Sequence, residues 1–178
     1  AYEGVILGGA DKLFGLDELN LWLRRHRYAD YNMEVLLPIA HMCLEYAVRL
    51  GLRAERPGIQ TMARQAARQL LEHDPLRLRA TARNWMYICW MARQFPQAAD
   101  HDSLLILQNF KGFEEVVERF VSMTEESAQC RTAQALVERA VLLYKKIFTR
   151  YFAPDHNQDP VPENMGRPDP LAQPLDEG

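Results

Sequence analysis

Cysteine is scarce and scattered: Cys43, Cys89 and Cys130 are far apart in a chain of 178 residues, with no close Cys pair and no Cys-His cluster. That spacing argues against a disulfide framework and against zinc-finger ligand sets. It points to a reducing compartment in which the thiols serve as small buried hydrophobes. Long apolar runs are lacking too. The two longest, 35–44 (interrupted by Pro38 and His41) and 85–92, fall short of the roughly 18–20 residues that a bilayer-crossing helix needs. No series of basic segment, apolar core and cleavage site opens the chain, so no secretory signal is expected and the reading is a soluble, cytoplasmic protein. No stretch alternates with a period of two, which excludes a recognisable strand.

Motifs of chemistry are equally sparse. Gly8-Gly9 stands alone instead of forming a phosphate loop, and neither a Gly-x-Ser-x-Gly elbow nor a His-Glu-x-x-His zinc helix occurs. The carboxylate pairs Glu114-Glu115 and Glu125-Glu126 are adjacent in sequence, so on a helix they splay apart and cannot converge on one substrate. The reading therefore leans away from an enzyme, and no cofactor is expected.

What the sequence does contain is helical periodicity, punctuated by glycine and proline into blocks of bundle size. The first block, 16–28, aligns Leu16, Leu19, Leu23 and His26. The second, 32–50, aligns Leu36, Ala40, Cys43, Ala47 and Leu50, with Gly51 placed as a C-cap and Pro38 near the start. A third block shows Ile59, Met62 or Ala63, Ala66 and Leu70 as its apolar line and closes before Pro75. The fourth, around 85–92, is apolar on nearly every side (Trp85, Met86, Tyr87, Ile88, Trp90, Met91) and is predicted to be the hub of the core. A fifth follows Ser103 with Ile106, Phe110, Phe113, Val117 and Phe120. The sixth, 130–152, turns Ala133, Leu136, Ala140, Leu143, Ile147 and Tyr151 inward. The blocks at 59–75 and 79–96 loosely resemble a tetratricopeptide unit, but the Gly and Tyr positions of that repeat are absent and its period does not recur. From Ala153 onward six prolines interleave with six acids, a composition too poor in apolar residues to offset the entropy of ordering. The predicted architecture is an all-α, single-domain bundle of about six helices over 1–152, followed by a disordered, acidic, Pro-rich tail at 153–178.

Charge is unevenly placed. Between Arg49 and Arg93 there are nine arginines, no lysine and three acids, a net +6, whereas the tail carries one arginine against six acids, a net −5; the chain as a whole is −3. Arginine makes forked contacts to carboxylates and phosphates that lysine cannot reproduce. The expected role is a non-catalytic interaction protein, an adaptor or accessory subunit. An acidic segment of a protein partner would meet Arg64, Arg68, Arg77, Arg79 and Arg83, with Trp85 as an aromatic anchor. Nucleic acid is the lesser alternative, since the whole chain is slightly acidic and no helix-turn-helix or zinc-finger spacing is present. A third reading, a helical-bundle metal or cofactor site or enzyme, rests on His41 and Glu45 one helical turn apart. With Glu34 and Arg49 they occupy a face turned away from Ala40 and Ala47, so the pair is predicted to be a surface ion pair and not half of a metal site.

Overall fold

The computed structural model describes residues 1–27, 31–72, 82–98, 118 and 121–151. Among them every regular element is helical: α1 (Tyr2–Leu13), α2 (Leu16–Arg27), α3 (Met33–Gly51), α4 (Ile59–Glu72), α5 (Ala82–Gln94) and α6 (Ala133–Tyr151), with short 3-10 turns at Pro96–Ala98 and Glu126–Gln129. Apart from Glu118, the predicted fifth helix lies outside the described residues, as does the acidic tail at 153–178. The chain divides into two compact units. One holds Ala1–Ala63 and Ser122–Lys145, and the described parts of Arg64–Val121 and Lys146–Gly178 belong to the other.

In the first unit α3 is the central element. Its buried residues (among them Val35, Leu36, Ile39, Met42, Cys43, Val48 and Arg49) occur on nearly every side of the helix, so neighbours must cover it all round. Asn32 caps its start, accepting from the Glu34 N–H at 3.0 Å, while the Asn32 N–H donates to the Tyr144 hydroxyl of α6 at 2.7 Å. Tyr31 meets the Tyr144 ring edge-on, with centroids 5.3 Å apart. One cap therefore fixes both the start of α3 and its register against α6. Pro38 lies inside the helix, not at its first turn, so it supplies no N–H to the Glu34 carbonyl. On the far side of α3 the buried Ser127 hydroxyl sits 2.9 Å from the Cys43 carbonyl and 2.5 Å from that of Thr124, binding the 3-10 turn to the helix.

α1 is not anticipated by the sequence pattern. Three glycines among its twelve residues each cost roughly 1 kcal/mol of helix propensity relative to alanine. Packing overrides that cost. Ile6, Gly9 and Ala10 are buried, and a Cβ built on Gly9 would lie 2.5 Å from Val48 Cγ1 and 2.6 Å from Leu52 Cδ1 of the α3 end. Glycine here lets two helices approach. Gly51 likewise owes its place to closeness, since a Cβ would lie 2.7 Å from Leu13 Cδ1, and the C-cap it was expected to supply is Leu52 at φ −96°. The left-handed position is instead Gly15, at φ +85°, whose N–H reaches the Ala10 and Asp11 carbonyls and turns the chain from α1 into α2.

The predicted inward face of α6 is confirmed for Ala133, Leu136, Ala140 and Leu143, and Val137 and Tyr144 join it. Thr132 caps this helix by accepting from the Ala135 N–H at 3.1 Å. On α4 the buried line is Ile59, Ala63, Ala67 and Leu71, a strict step of four, whereas Met62, Ala66 and Leu70 are half-buried. The predicted line is thus corrected by one position along the latter half. A row of side chains four apart slants across the helix, the geometry of a ridge that crosses a neighbour obliquely. In the second unit α5 buries Ile88, Trp90, Met91 and Ala92, with Tyr87 against Trp90 at 5.7 Å between ring centroids. The burial predicted for this helix is seen for these side chains, while those of Trp85, Met86 and Cys89 lie outside the description. In the first unit, however, the helix enclosed on nearly every side is α3.

Substituting Gly9 and Gly8 separates packing from propensity. Gly9→Ala should destabilise by about 1–3 kcal/mol because the buried Val48 and Leu52 must move. Gly8→Ala, whose Cβ meets nothing within 4 Å, should stabilise by up to ~1 kcal/mol. Urea midpoints of the two variants measure both effects, and equal shifts would refute the close approach.

Candidate functional site

Two places in the described residues concentrate polar chemistry, and the sequence pointed to residues of both. The first lies on α3. His41, Glu45 and Arg49 follow one another at single-turn spacing, which puts them on one strip of the helix. They are not a surface ion pair. Glu45 is 1 % exposed and Arg49 is 2 % exposed, because α1, the helix the sequence did not announce, lies over that strip. Glu34, placed on the same face by periodicity, stays exposed at the first turn.

The Tyr2 hydroxyl of α1 donates to Glu45 Oε2 at 2.5 Å, and His41 Nε2 faces Glu45 Oε1 at 3.5 Å. Arg49, one turn further along, holds its guanidinium 5.6 Å from the centre of the Tyr46 ring. Burial alone would push the Glu45 carboxyl up. The His41 hydrogen bond, the Arg49 charge and the Tyr2 phenol outweigh it and leave the group below the usual carboxylate range. Burial, reinforced by the Glu45 charge, pushes the Tyr2 phenol far above its ordinary value, so Tyr2 remains a donor. With its carboxylate enclosed, the cluster presents the imidazole of His41 outward, its side chain 46 % exposed.

The nucleophile inventory is short. The Cys43 thiol is fully enclosed and pushed up to about 12, chiefly by burial, which makes it inert at neutral pH. Burial raises the half-buried Cys130 thiol as well. The expectation of small buried hydrophobes fits Cys43, fits Cys130 in part, and for Cys89 concerns a side chain outside the described residues. Among the described residues no group of three or more His, Cys, Asp and Glu side chains is disposed to hold a metal ion. His41 and Glu45 meet, but as a hydrogen-bonded pair closed off by Tyr2 and Arg49.

The second place is α4. Thr61, Arg64, Gln65, Arg68 and Gln69 form its exposed strip, opposite the Ile59–Ala63–Ala67–Leu71 line. Arg64 and Arg68 are staggered by one turn, and among the described residues no carboxylate pairs with either. Arg93, by contrast, is ion-paired to Glu118. Of the other arginines predicted to bind a partner, Arg77 and Arg79 lie outside the described residues. Arg83 and Trp85 belong to the first turn of α5, with side chains outside the description. Trp90 is 1 % exposed and so serves the interior of the second unit, not a surface.

Because the native Glu45 carboxyl is held below its unfolded value of 4.5, it contributes stability that is complete above that value and is lost as pH falls through the lower native one. Tyr2→Phe should lower stability at pH 7 by about 1.5–3 kcal/mol, the range for a hydrogen bond to a charged group. Its loss of stability on acidification should be shallower than that of the wild type. Denaturant titrations from pH 7 to pH 3 measure both, and an unchanged midpoint for Tyr2→Phe would exclude a structural role for the pair.

No family model matches the chain, and neither the curated proteins nor the solved structures contain a significant match, so the residues themselves carry the functional reading.

Proposed function

We propose that the chain is a non-catalytic helical interaction protein, an adaptor or accessory subunit, that receives an acidic segment of a protein partner on the exposed arginine strip of α4. The observation that carries the reading is the pair Arg64 and Arg68: two exposed guanidinium groups one turn apart, with no carboxylate pairing to either among the described residues. Stacked guanidinium groups at that spacing offer two forks to successive carboxylates of an extended or helical acidic peptide. The sequence extends the same charge through Arg77, Arg79 and Arg83, with Trp85 as the aromatic neighbour. Exposed polar neighbours on the strip leave the arginines free to exchange water for a partner's carboxylates at little desolvation cost.

Nucleic acid would meet the same guanidinium groups through phosphate. The formal charge of −3 for the whole chain favours the acidic protein segment over a polyanion of that charge density. A cytoplasmic setting suits the free, buried Cys43 and the absence of a close cysteine pair in the sequence. No helix among the described residues is long and apolar enough to cross a membrane.

The double variant Arg64→Gln, Arg68→Gln tests the reading on the full chain. Both side chains are exposed, so its thermal midpoint should match that of the wild type within error. Affinity for a ten-residue Glu/Asp-rich peptide, read by fluorescence anisotropy at low salt, should fall about tenfold, as expected for two partly exposed ion pairs. Equal affinity of the two proteins would remove α4 from the interface. Duplex DNA outcompeting the peptide, with a steep salt dependence, would favour phosphate as the natural partner.

A further inference from the structure

The chain carries an acidic segment of its own. Residues 153–178 hold Asp155, Asp159, Glu163, Asp169, Asp176 and Glu177 against one arginine, Arg167, and removing that −5 from the chain's −3 leaves +2 for residues 1–152. On the positive side, Arg64 and Arg68 are exposed one turn apart on α4, with no carboxylate pairing to either among the described residues. The last residues of α6, from which the acidic segment continues, belong to the same compact unit as these two arginines. A segment of 26 residues spans at most roughly 85 Å. That is several times the ~13 Å radius of gyration of a 100-residue domain, so length does not limit its access to α4.

Exposed ion pairs are weak one by one, and between free molecules two of them give a contact that is at best about millimolar. Covalent attachment changes the balance. A segment joined to the unit that bears its target is present at an effective concentration of about a millimolar, far above that of a second copy in solution. Six prolines in the segment fix φ and so reduce the entropy lost when it lies along a helix. Lys145 and Lys146 are also exposed, on α6 itself, but an ammonium is a point charge whereas paired guanidinium groups offer two forks to successive carboxylates. On the same reading of the α4 strip as a carboxylate-binding surface, we infer that residues 153–178 are its occupant in cis, an internal competitor that an acidic partner segment must displace.

Neutralising the segment in the full chain, with its four aspartates changed to Asn and its two glutamates to Gln, tests the inference through two readouts at low salt. Side-chain Nε resonances of Arg64 and Arg68 report the contact directly and should shift on neutralisation, while those of Arg93, already paired to Glu118, should not. Affinity for the ten-residue Glu/Asp-rich peptide should rise about threefold, and the gain should vanish in the Arg64→Gln, Arg68→Gln background. Unmoved Arg64 and Arg68 resonances would overturn the inference. So would a gain in affinity that persists without the two arginines, which would put the segment on other cations such as Lys145 and Lys146. Peptide binding that needs both arginines but ignores the charges at 153–178 would remove the internal competitor and leave the partner reading standing. Shifted resonances with no peptide bound by either form would support the contact in cis and remove the partner reading.

Discussion

Burying Glu45 and Arg49 on α3 is the constraint around which the first unit is arranged. An enclosed carboxylate and an enclosed guanidinium are tolerated only when hydrogen bonds and opposite charge replace the water they have lost. Two of those replacements are visible in the Tyr2 hydroxyl from α1 and the His41 imidazole from the preceding turn. The requirement reaches outward from there. Tyr2 is the first residue of α1, so satisfying Glu45 pins the start of that helix, and the close approach at Gly9 seats its middle on Val48 and Leu52. An apolar replacement of such a cluster can equal it in stability, so what the charges add is a defined seating for α1.

Glycine has two different jobs within a few residues. At Gly9 the absent side chain is a packing requirement, because a helix of larger residues could not lie as close to α3. At Gly15 the requirement is conformational, since φ +85° is costly for any residue with a Cβ. Gly4 and Gly8 have no such contact, and they weaken the helix without a visible return in packing. This mixture explains why α1 escapes a reading by periodicity and propensity. Its apolar positions Ile6, Ala10 and Leu13 do recur at helical spacing, but the signal is diluted by glycines whose justification lies in another helix.

The two polar places differ in what they can offer a partner. On α4 the arginines project from a helix whose opposite face is anchored by four small or aliphatic residues, Ile59, Ala63, Ala67 and Leu71. Charge there is available at modest desolvation cost, which suits recognition that is fast and sensitive to salt. On α3 the Glu45 carboxylate is held by Tyr2 and His41, and the His41 ring also lines an apolar pocket.

Much of this was legible in the chain itself. Apolar steps of three and four announced α2, α3, α4 and α6, a run apolar on nearly every side announced α5, and no alternating segment suggested a sheet. These are local properties, set by backbone hydrogen bonding and side-chain spacing within one or two turns. Exposure of Arg64 and Arg68 also followed from spacing alone, because they sit opposite the apolar line of their own helix. What tertiary structure decided was the fate of the other strip on α3. Periodicity gives the direction of a side chain but not what lies beyond it, and His41, Glu45 and Arg49 point away from the apolar line of α3 in a pattern that reads as solvent-facing. Only the docking of α1 turned that strip into an interior, because the free energy that buries a charge comes from groups dozens of residues away: Tyr2 and Glu45 are separated by 43 positions in sequence and by one hydrogen bond in space.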